Sequence, residues 1–183
     1  IIVTQACLPF KSCRYIQQYL KPDKSYFHIA PDEQVFPRCD SALKYLPRNT
    51  LKKAGMGAIL SRKHAELLVK YEDELELWFK DVTIPDEHAI ISLLFYLGLE
   101  NELELTENHA VNSVIMSQWP DQPGYKNFTN SILKVAHPNT YIHVCQEELY
   151  HFINAKCLFG RKFLPECTGL ENLVTLLNTK QYI

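Results

Sequence analysis

The stretch Ile84-Pro85-Asp86-Glu87-His88-Ala89-Ile90-Ile91-Ser92-Leu93-Leu94-Phe95-Tyr96-Leu97 joins a proline break, two adjacent carboxylates and a histidine to a run that is apolar apart from Ser92. Proline is tolerated in the first turn of a helix, acidic side chains are favoured there by the helix dipole, and the residues from Ile90 onward are apolar enough to bury a helix body. The segment therefore reads as a buried helix with carboxylates at its exposed mouth, a place suited to a general base. Taken alone, Pro-Asp-Glu is also an ordinary helix start, with Asp86 capping and Glu87 in the first turn.

Segments of strand type and helix type alternate on either side of it. Ile2 to Ser12 reads as a buried strand ending in a Pro-containing loop, followed by the periodic stretch Tyr15 to Leu20. Gly57 to Ala65 reads as a strand running into a helix from His64 to Tyr71. This alternation predicts an α/β layer structure, and 183 residues with 46% hydrophobic and 22% charged side chains suffice for one domain with a substantial core. The Pro-rich segment 31–47 and the polar segment 122–130 are candidate active-site loops. The acids of Tyr71 to Phe79 fall at spacings unsuited to a metal and read as a solvated face over Leu75, Trp78 and Phe79.

A formal net charge of −2 gives no reason to expect nucleic acid or an anionic membrane as partner. The six cysteines, Cys7, Cys13, Cys39, Cys145, Cys157 and Cys167, lack the paired spacing of a zinc site; in an oxidising lumen they would allow disulfides, or several would be buried thiols. Asn127-Phe128-Thr129 is a glycosylation sequon in a loop-like stretch.

Four short motifs stand in a telling order. Thr4 to Pro9 follows strand-type sequence and looks like a variant of a serine-glutamate-serine-x-x-proline segment. Ser61-Arg62-Lys63-His64-Ala65 is similar to a strand end of the form Ser/Thr-Arg-x-x-Ala. Asp86-Glu87-His88 leads into a helix with a hydroxyl residue, Ser92, at the fourth following position. Leu158-Phe159-Gly160-Arg161-Lys162-Phe163 departs from leucine-phenylalanine-alanine-arginine-lysine-phenylalanine only at Gly160. In this order the set resembles the core-2/I-branching β-1,6-N-acetylglucosaminyltransferase family over nearly the whole chain.

The resemblance implies an A-type glycosyltransferase fold, a Rossmann-like mixed sheet flanked by helices. It further implies that the chain is the C-terminal portion of the catalytic domain, with a further nucleotide-binding region and any membrane anchor on the N-terminal side. Glu87 is then the base that deprotonates the acceptor hydroxyl, and Lys162, with Arg161 beside it, holds the diphosphate of a UDP-sugar donor without a metal. The second basic residue carried by the family's animal members is not evident, since His143-Val144-Cys145 occupies its region. Trp119 is expected to pack on the acceptor glycan. Arg62 is either an acceptor contact and carboxylate clamp beside Glu87 or a structural arginine, and His88 either orients the base or is simply hydrogen-bonded.

The implied reaction is inverting transfer of N-acetylglucosamine to a glycan acceptor in the Golgi lumen, by a single-pass type II membrane protein if the host is eukaryotic. Transfer of xylose or glucuronic acid, and a non-catalytic glycan-binding module of the same fold, remain the alternatives.

Overall fold

The computed structural model describes residues 1–106, 114–117, 132–133 and 140–179. Along the chain it runs β1 (Leu8–Pro9), α1 (Cys13–Tyr19), β2 (Ser25–Ile29), β3 (Ala54–Ile59), α2 (Arg62–Lys70), α3 (Glu72–Phe79) and α4 (Ala89–Tyr96). It continues with β4 (Leu103–Thr106), β5 (Ile115–Ser117), β6 (Ile132–Leu133), β7 (Thr140–His143), α5 (Gln146–Asn154), β8 (Phe159–Arg161), β9 (Phe163–Thr168) and α6 (Leu173–Asn178). The chain is thus α/β. Its described strands form three three-stranded sheets, ordered β3-β2-β4, β1-β8-β5 and β6-β7-β9, rather than one continuous sheet. Each has one antiparallel and one parallel pairing, so each is mixed.

The chain divides into two compact units: Ile1–Val3 with Lys21–Glu107, and Thr4–Leu20 with Asn108–Ile183. In the first, Phe27, Ala54, Ala58, Ile91, Leu94 and Leu103 join β2, β3, α4 and β4 in one buried cluster. A second cluster of Val35, Cys39, Leu46, Leu51, Phe79 and Val82 packs α3 against the segment before β3. The Pro-rich segment 31–47 is therefore not a free loop. Short 3-10 turns at Asp32–Gln34 and Asp40–Lys44 let it bury Val35, Cys39, Ala42 and Leu46. In the second unit an aromatic core holds α5 on β7 and β9: Phe10 stacks on Phe152 at 5.0 Å, and Tyr141 on Phe163 at 5.1 Å.

Local rules start the helices. Ser12 caps α1 by accepting from Tyr15 N, and Ser61 caps α2 by accepting from His64 N. Glu148 of α5 accepts from Cys145 N in a capping-box arrangement. Three of the four acids of α3, Glu72, Asp73 and Glu74, lie in its first turn, where the dipole favours them, while Phe79 is buried and Leu75 and Trp78 pack on the core, as the solvated-face reading required.

The N-terminus departs from expectation. Only Leu8–Pro9 forms a strand there. Ile1 and Val3 are exposed, and Ile2 makes a single antiparallel bridge to Ala58. The disulfide expectation is also corrected, because all six cysteines are free. Cys39 is fully buried, and burial, reinforced by Asp40, pushes its thiol up to about 11. No helix among the described residues is long and apolar enough to cross a membrane.

Candidate active site

The acidic motif is built differently from a simple helix start. Ile84 adopts left-handed backbone at φ 60°, Pro85–Glu87 forms a separate 3-10 turn, and α4 begins only at Ala89, with no side-chain cap from Asp86. The turn is closed by Glu87 N donating to Ile84 O and His88 N to Pro85 O. Glu87 is thereby set off from the helix axis and stays partly solvent-exposed, whereas His88 is fully buried.

His88 and Ser92, four residues apart and so on one helix face, both grip the backbone of Lys52. His88 Nδ1 lies 3.0 Å from Lys52 O, an acceptor only, so Nδ1 carries the proton. Ser92 Oγ accepts from Lys52 N at 2.9 Å and donates to Lys52 O at 3.2 Å. His88 Nε2 is buried with no hydrogen-bond partner among the described residues. A proton there would be a buried charge without an acceptor, and burial accordingly pushes the imidazole below its ordinary range against the opposing backbone hydrogen bond. His88 is a neutral clamp on Lys52.

The clamp fixes the residue that follows. Lys53 Nζ lies 3.5 Å from Glu87 Oε2, and Arg38 Nη1 lies 3.9 Å from the same oxygen. Both cations lie against Oε2. Glu87 and Asp86 line a cleft of about 80 Å³ whose walls are otherwise mainly apolar, with Phe27, Met56, Ile90 and Ile91 among them. A carboxylate that lines an apolar cleft with two cations beside it is placed to take a proton from a bound hydroxyl.

Arg62 is not the clamp on Glu87. It begins α2, is almost wholly exposed, and pairs with Glu66 at 2.9 Å across one helical turn. Neither cation beside Glu87 was picked out from the sequence. The adjacent pair Lys52-Lys53 just before a strand was the available signal, but its partner lies more than thirty positions away, beyond any local motif.

The Ser-Arg-x-x-Ala motif serves a different cluster. Ser25 Oγ accepts from Ser61 N at 2.8 Å and lies 2.7 Å from His64 Nδ1, while His64 Nε2 lies 3.1 Å from Glu102 Oε2. The order serine, histidine, glutamate suggests a nucleophile, but Ser25 and His64 are both wholly inaccessible, so no substrate reaches them. The cluster instead ties β2 to the start of α2 and to the turn before β4.

In the second unit, Arg161 ends β8 and is 8% exposed, its Nε buried without a partner among the described residues. Lys162 follows, half-buried, its carbonyl accepting from Tyr141 N. Neither makes an ion pair among the described residues. A buried guanidinium that meets no carboxylate among the described residues is suited to pairing with an anion. His143, in the region of the expected second cation, is exposed on β7 with Nδ1 2.8 Å from Thr168 Oγ1. Gly160, where the family motif has alanine, faces the Phe10 ring: an added Cβ would lie 2.0 Å from Phe10 Cζ. Trp119, Asn127 and the segment 122–130 lie outside the described residues. Among those residues no cluster of three or more His, Cys, Asp or Glu has metal-binding geometry.

The chain is similar to glycosyltransferase BC10 of Oryza sativa subsp. japonica, with 27% identity over 132 residues, covering 56% of this chain and 32% of that protein. It thus spans about a third of the relative's length. No protein-family model matches the chain, and no solved structure matches it.

Proposed function

We propose that this protein is an inverting glycosyltransferase that moves N-acetylglucosamine from UDP-N-acetylglucosamine to a glycan acceptor, with Glu87 as general base. The observation that carries the reading is the place of Glu87: a partly exposed carboxylate lining an apolar cleft, with Lys53 Nζ 3.5 Å and Arg38 Nη1 3.9 Å from its Oε2. The likeness to a plant glycosyltransferase supports the reaction class.

In this reading the acceptor hydroxyl gives its proton to Glu87 Oε1 while its oxygen bonds to the anomeric carbon of the donor sugar. The bond from that carbon to the diphosphate breaks on the opposite face, and its electron pair leaves with the diphosphate. Arg161 and Lys162 neutralise the departing charge. Arg161 suits this role because it is buried and lacks a counter-ion among the described residues. Fixed cations replace a metal in this scheme, so turnover is expected to survive chelation.

The test is a donor panel on the full-length protein, following UDP release from UDP-N-acetylglucosamine, UDP-xylose and UDP-glucuronic acid with a mixed glycan acceptor and excess EDTA. Turnover of UDP-N-acetylglucosamine that falls on Arg161→Ala and Lys162→Ala through a raised donor KM supports the reading. Turnover of another donor replaces the sugar, and folded protein with no turnover refutes it.

A further inference from the structure

We propose that Lys53 is a positioning residue for Glu87, holding the carboxylate so that its free oxygen is presented to the attacking hydroxyl. The inference rests on the reading of Glu87 as the base and adds which of the two neighbouring cations sets its orientation.

Three anchors fix the Lys53 backbone. Its carbonyl accepts from Ala30 N at 2.8 Å. The preceding peptide is gripped through Lys52 N by Ser92 and through Lys52 O by His88 and Ser92. The two lysines then part: Lys52 reaches Asp32 at 2.9 Å and the Phe95 ring at 5.4 Å, and Lys53 reaches Glu87. The helix that follows Glu87 therefore holds the very peptide from which Lys53 reaches back to it.

Lys53 is better suited to this task than Arg38. Its side chain is 16% exposed and its Nζ is nearer, at 3.5 Å, whereas Arg38 is 48% exposed at 3.9 Å. A glutamate side chain turns about three bonds, and a base that wanders loses most of its advantage, since a misplacement of about 1 Å can cost about 100-fold in rate. An ammonium on Oε2 removes that freedom and leaves Oε1 as the proton acceptor.

The experiment measures kcat and acceptor KM of the full-length protein by UDP release, using UDP-N-acetylglucosamine or whichever of UDP-xylose and UDP-glucuronic acid is turned over. Lys53→Met, Lys53→Gln, Lys53→Arg, Glu87→Gln and the double variant Lys53→Met/Glu87→Gln are compared, with thermal melting to establish folding. The inference expects the Met and Gln variants to lose roughly 10- to 100-fold in kcat with acceptor KM within about threefold, and Lys53→Arg to recover much of that loss. It also expects Lys53→Met to cost nothing further once Glu87 is already Gln. Wild-type kcat in folded Lys53→Met or Lys53→Gln, beside a disabled Glu87→Gln, overturns the inference and leaves the base standing. An undiminished Lys53→Met effect in the Glu87→Gln background also overturns it. Wild-type kcat in Glu87→Gln overturns the base itself, and the inference with it.

Discussion

At the scale of single residues, Glu87, His88 and Ser92 divide one short motif into chemistry and carpentry. Glu87 meets solvent and cations, while the other two are buried and hydrogen-bond the backbone of Lys52. Ser92→Ala removes both a donor and an acceptor and leaves the buried amide of Lys52 without its partner. A loss of about 1–3 kcal/mol in urea unfolding is expected. The spacing of the histidine and hydroxyl was legible in the sequence, because positions four apart share a helix face. Their target was not, since Lys52 lies far earlier in the chain and only the tertiary fold brings it to α4. Arg62 shows the converse: an arginine in a resembling motif found an ordinary partner, Glu66, one turn along its own helix.

At the scale of elements, β8 and the strand before α1 fit through one absence. Gly160 pairs with Leu8, and the Phe10 ring fills the space a side chain at Gly160 would need. Gly160→Ala is therefore expected to destabilise by about 1–3 kcal/mol or more, and shrinking Phe10 to leucine in the same chain to recover part of that cost. Urea unfolding of the two single variants and the double gives the coupling directly. The departure from alanine was visible in the sequence, but the Phe10 ring that meets it was not, because the pairing of β1 with β8 joins segments about 150 positions apart.

The two helix-start histidines make a second prediction at this scale. Burial lowers the pKa of both His64 and His88, so between the ordinary histidine value of about 6.5 and the folded values the unfolded chain binds more protons than the folded one. Stability is then full above pH 6.5 and falls as the pH drops toward the folded values. Each histidine contributes a slope of at most about 1.4 kcal/mol per pH unit. Urea unfolding at pH 7.5, 6 and 5 should show the loss, and His88→Gln should flatten it.

At the scale of the molecule, the α/β class and the helices α1, α2 and α4 were legible, since each follows from periodicity, capping residues or an apolar run, whereas the separate 3-10 turn at Pro85–Glu87 was not. The division into two units and the scatter of the described strands over three sheets were not, because strand pairing over long separations leaves no local pattern. The proposed base lies in the first unit and the proposed diphosphate-holding cations in the second. Each was marked by its motif, but the cations that hold Glu87 were marked by none. The central claim is that Glu87 takes the acceptor proton. It is tested most directly by kcat and donor KM for wild type and Glu87→Gln, measured side by side in EDTA on the full-length protein. The account predicts a loss of about 100- to 10,000-fold in kcat with donor KM within about threefold. A Glu87→Gln protein that transfers sugar at the wild-type rate would contradict it.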